Sequence, residues 1–534
     1  MSKRTIQFLL TAALAASCVG TGLSPDDGPA ANGRLSDEPG MIVLGDRLED
    51  PYTVENMNKA LAALYPTKAG RVVLPATHLY VRFLPANERQ YAELEALGVH
   101  LVDHPVDYEI VREGDWYHDP EIDPERITWQ YAVVDADFDF PAGIRYELID
   151  KCHIPVPGAS TKADGDIDWE ALEREAYRLT GNDPSPASTG SATGSGTKGE
   201  ESASGTPTGR ITIVDPALGG QPEGVRGVRV ACNSFVKFAH AYTDVNGYYK
   251  METSFASQPR YRLVFKNASG FAIGFNLILS PASNAGLGKG EATGMDLEVT
   301  PDADRRLYAR CVVNNAGYDY WKACETGTPA IKTPPSNLRV WLFQGLDSGC
   351  AVMMQQGVLV DRSKIGEWLG EFSVLLKVFL PDVTLGLKGK DSYADIYSQA
   401  VHEFAHASHF MQAGRDFWES YARFILKSFV SSGFVAYGVG TEEDHGYCEV
   451  GEMWAYYRQS VLYRERYGGE AAFGVSYWFH PQIFLQLEDR GLNAWKIFQV
   501  LSSDVTDRSV LQKKLISFYP EQKGAINQAF MRYN

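Results

Sequence analysis

Apolar and polar positions change rhythm several times along the chain. Between Thr77 and Ile110 a strand-like run, His78-Leu79-Tyr80-Val81-Arg82-Phe83-Leu84, gives way to the polar, periodic stretch 87–97. Gly98 and a second strand-like run, Val99-His100-Leu101-Val102, follow, which predicts a small α/β unit. Residues 130–146 add short aromatic and β-branched runs, and Trp169, Leu172, Ala176 and Leu179 form a helical stripe. Residues 183–210 contain no Ile, Leu, Val or aromatic side chain, so nothing there offsets the entropy of ordering, and the stretch reads as a linker. Beyond it, 211–214, 228–231, 235–238, 248–251 and 261–265 have strand composition separated by Gly, Pro and Asn/Asp turns, the pattern of a β-sandwich. From about Pro301 the pattern turns mainly helical.

The amino terminus follows a different logic. Lys3 and Arg4 precede an apolar run over 6–16, eleven residues where a membrane-spanning helix needs ~20, so the run reads as an export signal. It ends Ala15-Ala16-Ser17-Cys18, and small residues directly before a cysteine resemble the lipobox of bacterial lipoproteins. The resemblance implies cleavage of 1–17, lipidation of Cys18, and a flexible tether over 18–40. Because Val19 rather than aspartate follows the cysteine, it also implies an outer-membrane lipoprotein, a placement compatible with exposure at the cell surface. With 534 residues, 44% hydrophobic, the chain can bury more than one core. Fifty basic residues against 67 acidic ones leave a net charge of −17, which repels phosphate backbones and excludes a nucleic-acid partner. Six cysteines remain after Cys18, and Cys311 with Cys324 is the pair that closes the shortest loop.

Two further resemblances carry the functional expectation. Gly227-Val228-Arg229-Val230, followed by Tyr242-Thr243-Asp244-Val245-Asn246-Gly247-Tyr248-Tyr249, resembles the carboxypeptidase regulatory-like, transthyretin-type β-sandwich. Asn246-Gly247 suits the positive φ angles of a tight hairpin turn. In such proteins this module is usually accessory, and no chemistry is assigned to it.

Residues 402–406 read His-Glu-Phe-Ala-His, the HExxH motif. Ser392 and Asp395 predict a capped helix start and Gly414 its stop. At about 100° per residue His402 and His406 lie only ~40° apart on one face, so two imidazoles can meet one metal ion. Zn2+ suits this donor set. Glu403 leaves that pair sideways and can act as general base and acid on a metal-activated water. The metzincin continuation is absent, since His409 and Gln412 stand where its glycine and last histidine belong. Gly451-Glu452-Met453-Trp454-Ala455-Tyr456-Tyr457 instead resembles the ligand helix of the gluzincins, which implies Glu452 as third ligand. Glu449, one turn earlier, is the open alternative.

Tyr456, four residues beyond Glu452, is the first choice for an oxyanion donor, with His445 and His480 behind it. His409 reads as a polar residue at the cleft mouth or a donor behind the ligands. Residues 382–387 suggest an edge strand able to pair with an extended substrate. For Cys152 a buried or disulfide-bonded cysteine is the favoured reading, with a thiolate latch from the first region as the sharper alternative.

The expectation is therefore a multidomain α+β protein: a small α/β region over 41–182, a linker over 183–209, a transthyretin-like sandwich over 210–300 and a mainly helical zincin domain over 301–534. Its expected activity is that of a monomeric zinc metallopeptidase acting on a protein or peptide substrate and anchored to the membrane at Cys18. The competing class is a surface lipoprotein that binds glycan or host protein on an inactive zincin scaffold.

Overall fold

The computed structural model describes residues 40–533 apart from 70–71, 124–125, 156–166, 183–203, 275–281, 303, 327–329, 347–348, 359–380, 432–436 and 470–477. The expected signal, Cys18 and most of the linker lie outside the described residues. The chain is a mixed, multidomain α+β protein.

The first region comprises β1 (Val43–Arg47), α1 (Val54–Leu64), α2 (Pro66–Ala69), β2 (His78–Leu84), α3 (Glu88–Ala96), β3 (Tyr108–Arg112), β4 (Gln130–Asp135), β5 (Arg145–Cys152) and α4 (Trp169–Leu179). Three helices start on a side-chain cap: Thr53, Asn87 and Asp168 each accept the backbone N–H three residues on. β2 lies between β4 and β5, all antiparallel, and β1 pairs with β3. Cys152 is fully buried in the core of this region, among Tyr52, Tyr80 and Leu172. The favoured buried reading holds and the latch alternative falls, because a thiol packed there is an ordinary buried cysteine whose pKa burial pushes up.

The second region comprises β6 (Thr208–Val214), β7 (Pro222–Gly224), β8 (Arg229–Ser234), β9 (Lys237–Tyr242), β10 (Tyr248–Lys250), β11 (Arg260–Val264), β12 (Ala272–Gly274), β13 (Asn284–Lys289) and β14 (Leu297–Val299). One sheet runs β10-β6-β14 with β7 on β6, the other β13-β11-β8-β9. Ile211 and Ile213 of the first share one apolar cluster with Val230, Cys232, Tyr261 and Leu263 of the second. The linker ends earlier than expected, since Gly205 already bridges to Phe255. Asn246-Gly247 does not close a hairpin: β9 pairs with β8, whereas β10 pairs with β6, so this turn carries the chain from one sheet to the other. Gly247 alone has positive φ, and a Cβ there would meet the Ile211 carbonyl oxygen.

The third region comprises α5 (Arg305–Glu325), β15 (Arg339–Phe343), β16 (Cys350–Ala351), β17 (Val383–Gly386), α6 (Tyr393–Ala413), α7 (Arg415–Ser431), α8 (His445–Tyr467), α9 (Gln482–Glu488), α10 (Ala494–Val500), α11 (Arg508–Phe518) and α12 (Lys523–Phe530). Its sheet has the order β12-β15-β17-β16, with β12, β15 and β17 parallel and β16 antiparallel to β17. Two expectations change here. The boundary near Pro301 is not a break in packing, because β12 from the preceding region completes this sheet and both regions share one apolar cluster. β17 is also not an edge: β16 covers it.

All six described cysteines are free. Cys311 and Cys324 both lie on α5, thirteen residues apart, about 20 Å along the axis at 1.5 Å per residue, so no disulfide can join them. No described helix is long and apolar enough to cross a membrane.

Candidate metal centre

α6 forms where the sequence places it. Ser392 Oγ accepts the Asp395 N–H at 3.1 Å, and the helix ends at Gly414 with φ +81°. Ile396, Ala400, Val401, Phe404 and Ala405 are buried, and Phe404 packs against Phe271, Tyr320 and Trp321. That anchorage fixes the rotation of the helix and turns His402 and His406 toward α8.

α8 supplies the third side chain. Glu452 is fully buried, with Oε2 3.2 Å from His402 Nε2 and Oε1 3.3 Å from His406 Nε2, while the two imidazole nitrogens are 3.1 Å apart. Gly451 lets the Tyr421 ring pack closely on α8, since a Cβ there would stand 3.0 Å from it. These three donors form a buried group that could hold a metal ion. The fit is quantitative: ligands ~2.0–2.1 Å from one tetrahedral ion are roughly 3.3–3.4 Å from each other, close to the separations here. Glu449 is not part of the group. It faces Arg508 at 3.3 Å, on the side of α8 that meets α11.

Charge within the group is shared unequally. Burial alone would raise the Glu452 carboxyl, but the two imidazoles outweigh it and hold the group down at about 2. Burial lowers His406, whereas at His402 the Glu452 carboxylate more than offsets burial and raises the ring. Both rings must be neutral to bind a metal, so proton and cation compete for this site. No protein-family model, curated protein or solved structure matches the chain, and the site stands on its own geometry.

Glu403 lies beside the ligands and is only 2% exposed; burial pushes its carboxyl up to about 8. Its Oε2 has no hydrogen-bond partner among the described residues, an expensive arrangement for a buried carboxyl. A Cβ at Gly349 would stand 2.6 Å from Glu403 Oε1, so the backbone leading into β16 passes directly over this carboxyl. With its amide suitably oriented, Gln399, one turn before Glu403, donates to the Gly386 carbonyl (2.8 Å) and accepts from the Gly349 N–H (3.0 Å). It thereby clamps β17 and the approach to β16 onto α6.

Of the expected oxyanion donors only Tyr456 adjoins the ligands: its ring meets His402 edge-on at 4.3 Å and stacks on Phe479. His445 packs on Trp478, and His480 stacks on Tyr533. His409 is fully buried between Phe417 and Trp418 rather than at a cleft mouth, and burial lowers it to about 3.

Three supporting residues escaped the sequence reading. Tyr421 of α7 donates from its hydroxyl to Glu452 Oε1 at 2.7 Å. Gln459 Oε1 lies 3.2 Å from His402 Nδ1, and its Nε2 donates to Ser398 Oγ at 2.7 Å. Such contacts fix ring orientation and tautomer behind a ligand. Gln459 is seven residues after Glu452, two turns along the same face, a spacing that marks it once Glu452 is taken as ligand. Nothing in the local sequence marks Tyr421 or Gln399.

Proposed function

We propose that the protein is a zinc-dependent peptidase in which His402, His406 and Glu452 hold the ion and Glu403 moves the proton. The observation that carries this reading is the donor triangle with a buried carboxyl beside it whose Oε2 has no partner among the described residues. Two neutral imidazoles and one carboxylate form a donor set that zinc favours over calcium or magnesium, which take oxygen ligands. Three protein donors also match catalytic rather than closed structural sites.

When bound, zinc acts as a Lewis acid that lowers the pKa of a water and polarises a carbonyl. Glu403 takes the proton from the attacking water and returns it to the leaving amine. Its place one residue from His402, with Oε2 left without a partner among the described residues, suits both roles. Gln459 and Tyr421 hold His402 and Glu452 in register, and Tyr456 is assigned as the hydroxyl that steadies the developing oxyanion.

A scaffold that only binds glycan or protein has no need of a buried carboxyl whose Oε2 is left without a partner among the described residues. The lipobox-like sequence around Cys18 supports a peptidase exported and tethered at the outer membrane, and the two sheets of the second region support a transthyretin-type accessory module.

Casein cleavage and zinc content compared between wild type and Glu403→Gln test the reading. It expects zinc to be retained and activity to fall by at least ~10²-fold. Equal inactivity of both proteins, each loaded with zinc, would favour the binding scaffold.

A further inference from the structure

The seam between the first region and the β13-β11-β8-β9 sheet forms an open pocket of about 410 Å3, none of whose lining residues belongs to the metal centre. Its walls carry charge of both signs. Arg260 and Lys289 line it from β11 and β13, where they stand directly opposite each other in the antiparallel pair. Like charges so placed repel and destabilise a sheet. Arg260 is paired with Glu113, but Lys289 has no ion pair among the described residues. Glu109 of β3 lines the cavity from the other wall, close enough for its charge to act on both cations.

Tyr177 and Phe235 also line it. Phe235 occupies the turn between β8 and β9 with φ +51°, a conformation that a bulky side chain adopts only at a cost. Strain of this kind concentrates at ligand sites.

We propose that this cavity binds a short peptide by its free termini: the carboxylate on Lys289 and Arg260, the ammonium on Glu109, and an apolar side chain against Tyr177 and Phe235. The volume lies within the ~300–1,000 Å3 of small-ligand pockets and accommodates two or three residues, not a folded protein. The site goes beyond the peptidase reading and does not depend on it.

Calorimetric titration with the dipeptide Gly-Leu tests the proposal. Glu403→Gln protein serves as the host, so that turnover contributes no heat. One site per chain is expected, and N-acetyl-Gly-Leu and Gly-Leu-amide should each bind at least about tenfold more weakly. Glu109 and Lys289 are both exposed, so Lys289→Glu and Glu109→Gln leave the fold intact and should each weaken binding by about tenfold or more. Absence of binding up to about 10 mM would overturn the proposal. So would affinity unchanged in both variants, or binding that survives Lys289→Glu and disappears in His402→Ala, which would locate the dipeptide at the metal centre.

Discussion

Gln459 sits two turns beyond Glu452 on α8 and holds His402 through Nδ1. Removing the amide should loosen the ring without emptying the site. Gln459→Leu is expected to lower zinc affinity by about 10–100-fold, measured by chelator competition with the circular dichroism spectrum unchanged. Glu403 makes a second residue-scale prediction. Its folded pKa of about 8 stands above the ordinary 4.5, so folded protein binds this proton more tightly than unfolded protein does. Its stabilising contribution is complete below about pH 4.5 and is lost as pH rises through about 8. In metal-free protein Glu403→Gln should therefore raise the melting temperature at pH 8 more than at pH 5; an equal gain at both values would refute the burial argument.

At the scale of elements, legibility followed the range of the signal. α6 could be read from Ser392, Asp395 and Gly414 because capping is local, whereas Glu452 could be read only through the resemblance of 451–457 to a gluzincin ligand helix. β12 could not, since Ala272-Ile273-Gly274 carries no mark of the strand it joins, and its pairing with β15 spans sixty-seven residues, from Ala272 to Arg339. The same holds for β16, two residues long, which takes the edge position expected of β17. Gln399 links these elements to the motif helix. Gln399→Leu should release Gly349 and Gly386, shift β16 relative to Glu403, and lower kcat/KM by about 10–100-fold with zinc content unchanged. Zinc loss in this variant would assign Gln399 to the stability of α6 instead.

Across the whole molecule the regions are joined by buried charges that no local pattern forecasts. Asp115, from the first region, accepts Arg306 at 2.9 Å and Arg310 at 2.7 Å, both from α5, the helix that packs against the motif helix. Arg310 is fully buried. Asp115→Ala leaves two guanidiniums without their carboxylate and should destabilise the protein by about 3–5 kcal/mol in denaturant titration. The first region is thus part of the same folded body as the metal centre, and its removal should compromise α5.

The claim on which the account depends is that Glu452, not its neighbour one turn away, completes the metal site. Zinc bound per chain, measured by mass spectrometry on wild type, Glu452→Ala and Glu449→Ala, tests it most directly. The account predicts one zinc in wild type and in Glu449→Ala and a loss of zinc in Glu452→Ala. Zinc retained by Glu452→Ala and lost by Glu449→Ala would contradict it.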